Sequence, residues 1–175
     1  MKKFSLSLLF LFGASNLLAQ DPTFTQFYSN PVYLNPALAG SSGCPRVAIN
    51  YRNQWPQLTG NYVTYAAAYD SYFKNISGGV GLIALHDVQG QGTIQTSMLG
   101  ASYSNYLKVN RKFRLMFGAQ AAYYQKYLDW SKLTFGDMID PRRGFIYQTG
   151  DVPRGNGRRG FFDVSAGIVG FSKNF

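Results

Sequence analysis

The stretch from Gly92 to Tyr127 limits what this chain can fold into more than any other. It reads GTIQTSMLGASYSNYL, then KVNR, then KFRLMFGAQAAYYQKY. Each arm is about 16 residues, well beyond the roughly 5–6 of an ordinary soluble strand. In the second arm Phe113, Leu115, Phe117, Ala119, Ala121 and Tyr123 share one parity, and Arg114, Met116, Gly118, Gln120, Ala122, Tyr124 and Lys126 share the other. Alternation of period two is a strand signal, because successive side chains point to opposite sides of a sheet. In the first arm Leu99, Ala101, Tyr103 and Leu107 oppose Gly100, Ser102 and Ser104. One face is oily with aromatics near its ends, and the other is small and polar. A membrane barrel has this inverted pattern, apolar outside and polar or small inside, with aromatic girdles at both interfaces. A long soluble hairpin of a ligand-binding barrel is the competing reading.

The N-terminus favours the membrane. MKKFSLSLLFLFGASNLLAQ carries Lys2 and Lys3, an apolar run from Phe4 to Phe12, then small and polar residues before Ala19 and Gln20. That is the pattern of a cleaved secretory signal over residues 1–20, too short for a spanning helix. No later stretch reads as a transmembrane helix, so a membrane-embedded form must be a closed barrel, which alone among sheets satisfies every backbone group in lipid.

The formal charge is +9, and removal of Lys2 and Lys3 leaves +7; all eight acidic residues are Asp. Aromatics make up 17%, there are 19 glycines and there is no Glu, which fits an all-β chain better than a helical one. An exported basic chain without a nucleic-acid motif is not expected to bind nucleic acid. The single cysteine, Cys44, has no internal disulfide partner.

Residues 21–45 read as an extended, turn-rich lead-in holding four of the seven prolines. Its aromatics Phe24, Phe27, Tyr28 and Tyr33 are too many for a solvated linker, so it is expected to pack in the barrel lumen or on a partner. Strands follow at about 46–53, 61–71 and 79–86, then the two hairpin arms. A long loop covers Leu128 to Gly160, and a sixth strand covers about 161–171. If the Lys108–Arg111 turn is periplasmic, the turn near Asn75 is too, and the loops near Trp55, Gln89 and Asp140 face outside, as in outer-membrane barrels.

Gly155 to Gly160 spells G-x-G-x-x-G, but a dinucleotide site needs a strand before it and a helix after, and here a loop precedes and a strand follows. Asp137 and Asp140 read as local salt-bridge partners of Arg142 and Arg143 rather than calcium ligands. His86 reads as a polar residue of a barrel rim, and Asn75-Ile76-Ser77 as a turn rather than a glycosylation site. Nothing in the pattern reads as an active site, so no catalytic residue, cofactor or metal is assigned.

Five stretches together, FTQFYSNPVYLNPALAG, RVAINYRNQWP, YLKVNRKFRL with its following FG.QA, LDWSKLTFGDMIDPRRGF and FFDVSAGIVGFSKNF, resemble the PorP/SprF family of the type IX secretion and gliding machinery of the Bacteroidetes. The resemblance implies an outer-membrane β-barrel that supports export or surface anchoring of adhesins and other cargo. It implies as partners outer-membrane lipids, and the periplasmic ring lipoprotein with its ring protein, or an adhesin C-terminal domain. Members of the family are about twice this length, and six strands cannot close a barrel, for which eight is the smallest number. Residues 46–175 are therefore expected to be the N-terminal part of a larger barrel. The rival expectation is a complete small barrel ending on the aromatic Phe175, although Lys173 departs from the usual terminal signal. Candidate partner contacts are Phe24, Phe27, Tyr28, Tyr33, Trp55, Trp130, Asp137, Asp140 and Arg142. A passive pore and a soluble ligand-binding barrel are the alternative functions.

Overall fold

The computed structural model describes residues 24–110, 113–150 and 155–172. The expected signal peptide, Arg111 of the predicted turn, Arg154 and the terminal Lys173 to Phe175 lie outside the described residues. No described helix is long and apolar enough to cross a membrane, which leaves strands untouched as a means of crossing.

Six long strands form one antiparallel sheet: β1 (Arg46–Gln54), β2 (Tyr62–Phe73), β3 (Gly78–Gln89), β4 (Ile94–Lys108), β5 (Phe113–Leu128) and, after two minor strands, β8 (Arg158–Ser172). The minor strands β6 (Ile139–Asp140) and β7 (Gly144–Phe145) pair as a small hairpin inside the loop before β8. The order β1-β2-β3-β4-β5-β8 is a meander. Among the described residues β1 and β8 are edges, so the sheet is open. The all-β antiparallel class is as expected from the alternation, whereas closure into a barrel is not a feature of these residues.

Partners across an antiparallel pair lie on the same face, so the register assigns every side chain. Arg46, Asp70, Gly81, Ser102, Gln120 and Ser165 form one row across all six strands. The next row on that face is Ala48, Ala68, Ile83, Gly100, Ala122 and Asp163. In the middle strands this inward face is buried, with polar and small residues around the apolar Ile83, Leu85, Met98 and Met116, and at β8 it opens, with Asp163 exposed. Rows of the opposite parity are apolar and exposed: Val47, Tyr69, Leu82, Ala101, Ala121 and Val164, then Ile49, Ala67, Ala84, Leu99, Tyr123 and Phe162. Ile49 is 78% exposed and Phe162 81%, while Thr64, Asp70 and Ser104 are buried. The inversion expected from the hairpin thus extends over the whole sheet.

β3 and β8 run past their predicted ends, to Gln89 and back to Arg158. Arg158, Arg159 and Gly160 are poor strand formers alone, but pairing with Tyr127, Lys126 and Gln125 overrides propensity. Strand and not helix follows Gly155–Gly160, which removes the geometry a dinucleotide site needs. At the Arg46 end, Lys74–Ile76 makes a tight turn closed by Ser77 in the left-handed region, φ 48°.

The lead-in differs from the extended form expected of it. Phe27–Ser29 and Pro36–Leu38 are single 3-10 turns, and Pro31–Leu34 is one turn of α-helix, α1. Pro31 and Pro36 start the last two of these turns rather than preventing them, because Pro fits the first helical position, where its missing N–H has no partner to lose. The preceding asparagines cap them: Asn30 Oδ1 accepts the Tyr33 N–H (3.3 Å) and Asn35 Oδ1 accepts the Ala37 N–H (2.9 Å).

Candidate functional site

The inward face is a trough, and the N-terminal segment lies in it. Val32, Ala37 and Ala39 are the segment's buried underside, and Val32, Ala39 and Phe24 join Ala66, Ala68, Ile83, Leu85, Met98 and Ala122 in one apolar cluster. Glycines make room for the main chain. A Cβ on Gly118 would land on the main chain of Pro36 and Ala37, one on Gly79 on the Ala39 carbonyl, and one on Gly167 on the Asn35 side chain.

Polar contacts then fix the position. Asp70, 2% exposed, accepts the Gly40 N–H (2.7 Å) through Oδ2 and a forked pair from Arg46 Nε and Nη2 (2.9 Å each). Ala39 O accepts the Ser104 hydroxyl (2.6 Å) and the Tyr106 hydroxyl (2.7 Å). Asn35 Nδ2 donates to Ile168 O on the edge strand (3.4 Å). Gly40 turns the chain out of the trough at φ 68°, where a Cβ would also come within 2.7 Å of Gly79 Cα. The Arg46–Asp70 pair escaped the sequence reading, although its two members flank Leu58 symmetrically and face one side by parity.

The aromatics of the segment divide. Phe24 and Tyr33 pack edge to face at 5.7 Å against the cluster. Phe27 and Tyr28 form a second edge-to-face pair at 5.7 Å and remain exposed.

The second set of candidates lies at the far ends of the strands. Trp55, exposed and at φ 54°, packs edge-on to Tyr62 (5.7 Å). Trp130 stacks on Phe135 (6.1 Å). The loop is tied down by Asp129 N–H to Thr93 O (2.8 Å), Leu128 N–H to Gly157 O (2.8 Å) and Lys132 Nζ to Gln91 O (2.7 Å). Asp137 and Asp140 do not form the expected salt bridges with Arg142 and Arg143 among the described residues. Asp140 Oδ1 instead accepts the main-chain N–H groups of Arg142 (2.8 Å) and Arg143 (2.9 Å), a short-range turn that a carboxylate makes more readily than a distant ion pair in water. Asp137 Oδ2 accepts the Gly150 N–H (3.0 Å) and the Thr149 hydroxyl (2.9 Å). The Gly150 N–H, then the Thr149 hydroxyl, hold the Asp137 carboxyl below its ordinary range, and the Arg142 N–H does the same for Asp140. The structure does not bring this loop and the N-terminal segment together.

Charge is segregated by face. In the six long strands Arg46, Arg52, Asp70, Asp87, Lys108, Arg114, Lys126, Arg159 and Asp163 all fall on inward parity, and Arg158 alone falls outward. The outward aromatics bound a band of fitting height. Phe113 and Tyr123 are ten residues apart on β5, about 34 Å along a strand, or about 26 Å at a tilt of roughly 40°, against the roughly 25 Å apolar band of an outer-membrane barrel. The arrangement suits contact with lipid outside and a held segment inside. Among the described residues no three His, Cys, Asp or Glu gather as a metal site would require.

A family model described as type IX secretion system membrane protein PorP/SprF matches residues 16–175. No curated protein and no solved structure matches the chain.

Proposed function

The chain belongs to the PorP/SprF family of type IX secretion system membrane proteins, and on that premise we propose that it is a non-catalytic β-barrel component of the outer membrane that supports export or surface anchoring of adhesins and other cargo. The observation that carries the membrane part is the segregation of charge: nine charged strand residues inward, with Arg158 alone outward. A soluble sheet has no reason to keep charge off an exposed face, whereas each charge facing mid-membrane costs about 2–4 kcal/mol. The occupied trough supports a structural role over that of a passive pore, because the segment from Phe24 to Gly40 fills space a channel needs.

In this reading the turns at the Arg46 end, where Gly40 leaves the trough, face the periplasm and meet the ring lipoprotein and its ring protein, while Phe27 and Tyr28 lie further up the trough, beside Asn50, exposed on the open side of the segment. The loop carrying Trp130, Asp137, Asp140 and Arg142 faces outside, where an adhesin C-terminal domain arrives. The test is deletion in the native organism with cargo measured on the surface and in the periplasm. The proposal expects cargo to accumulate inside and return to the surface on complementation. Unchanged surface cargo contradicts it.

A further inference from the structure

Among the described residues of the six long strands Arg158 is the one charge that faces outward, and its surroundings form a site; the reading of that site rests on the membrane placement proposed above. Arg158 pairs with Tyr127, four residues past Tyr123 on β5. That is about 13 Å further along the strand, or about 10 Å above the apolar band at the same tilt, which is headgroup depth. The guanidinium carbon lies 5.3 Å from the centre of the Tyr127 ring. Among the described residues no carboxylate pairs with it.

Two hollows meet below it. The upper, of about 280 Å³, is polar and lined by Gln95, Ser97, Gln125, Tyr127 and Arg158. The lower, of about 620 Å³, is apolar and shares Ser97 and Gln125 with the first. Small Ala67 and Ala84 pair across β2 and β3 there, between taller Tyr65, Leu99 and Tyr123. A polar cationic hollow continuous with an apolar one is complementary to an amphiphile with an anionic head.

The geometry points to a bound anionic lipid, with its phosphate on Arg158 and the side-chain amides of Gln95 and Gln125, and an acyl chain lying over Ala67 and Ala84. A guanidinium grips phosphate through two parallel N–H bonds, and the facing ring leaves that fork free. Bulk lipid contact requires neither the cation nor the paired alanines. An arginine that only snorkels to the interface requires no hollow beneath it.

The full chain, reconstituted in nanodiscs that mix phosphatidylglycerol with phosphatidylcholine, is released into detergent and weighed by native mass spectrometry. Retained phosphatidylglycerol is expected to exceed phosphatidylcholine by about tenfold, the worth of one charge-assisted contact. Arg158→Gln removes that preference, Ala84→Phe lowers retention of both lipids, and Arg159→Gln, one residue along and inward, changes neither. Millimolar inorganic phosphate leaves the lipid in place. An undiminished phosphatidylglycerol preference in Arg158→Gln, or displacement by phosphate alone, overturns the lipid site while leaving the membrane reading intact. A chain that does not enter the bilayer at all overturns both.

Discussion

Asp70→Asn isolates what holds the N-terminal segment in its trough. The carboxylate takes three donors, Gly40 N–H and two nitrogens of Arg46, at 2.7–2.9 Å. Asparagine keeps the shape but has one acceptor oxygen, and its NH2 faces a donor. Each hydrogen bond to a charged group contributes about 1.5–3 kcal/mol, and loss of a partner leaves the buried remainder unsatisfied. The Arg46 side chain is 27% exposed and recovers part of its loss from water. Two weakened bonds at the lower end of that range give about 3 kcal/mol, or roughly a hundredfold rise in the undocked population. Amide hydrogen exchange at Leu38 and Ala39 reads that population, because both sit in the short turn that the trough supports. Their exchange should accelerate about a hundredfold while amides of Gly100 and Ala121, central in the sheet, stay unchanged. Adding Arg46→Met should cost little further, since the two residues act as one unit. Unchanged exchange at Leu38 and Ala39 would refute the reasoning and assign docking to the glycine contacts alone.

Leu82→Arg, on the outward face, should reduce stability in the membrane by about 2–4 kcal/mol, whereas Gln120→Arg, inward on β5, should be tolerated better; denaturant midpoints in vesicles compare them. The Asp137 carboxyl is held down by the Gly150 N–H and the Thr149 hydroxyl, so its contribution to loop order is complete above the ordinary carboxylate value of 3.8 and is lost as pH falls through the lower folded value. Tryptophan fluorescence of the Trp130 loop should therefore hold steady from pH 7 to about pH 4 and change below it, and Asp137→Asn should reduce that acid transition, the remainder coming from Asp129 and Asp140, which are held down in the same way.

The alternation of Phe113 to Tyr123 is enough to assign strand, face and solvent inversion, because period two leaves each residue one of two sides. It does not assign closure, which depends on how edge strands are covered. The turns in the lead-in were written as Asn-Pro twice, at Asn30-Pro31 and Asn35-Pro36, a capping signal masked by the general rule that proline opposes helix. Asp137 and Asp140 looked like ion-pair partners because Arg142 and Arg143 follow closely, yet main-chain N–H groups are nearer and already ordered. Arg46 and Asp70 become partners only through the register of β1 and β2, which single-residue reasoning does not supply. The hollows beneath Arg158 likewise need all six long strands aligned before they exist.

Spin labels placed singly from Leu115 to Tyr123, omitting Gly118, where any side chain meets Pro36 and Ala37, in the full chain with Cys44→Ser and embedded in outer-membrane vesicles, test the inverted sheet most directly. High collision with oxygen and low collision with an aqueous nickel relaxant are predicted at Leu115, Phe117, Ala119, Ala121 and Tyr123, with the lipid signature absent at Met116, Gln120 and Ala122. Nickel access at the odd positions equal to that at loop residue Leu58, or a profile without period two, would contradict it.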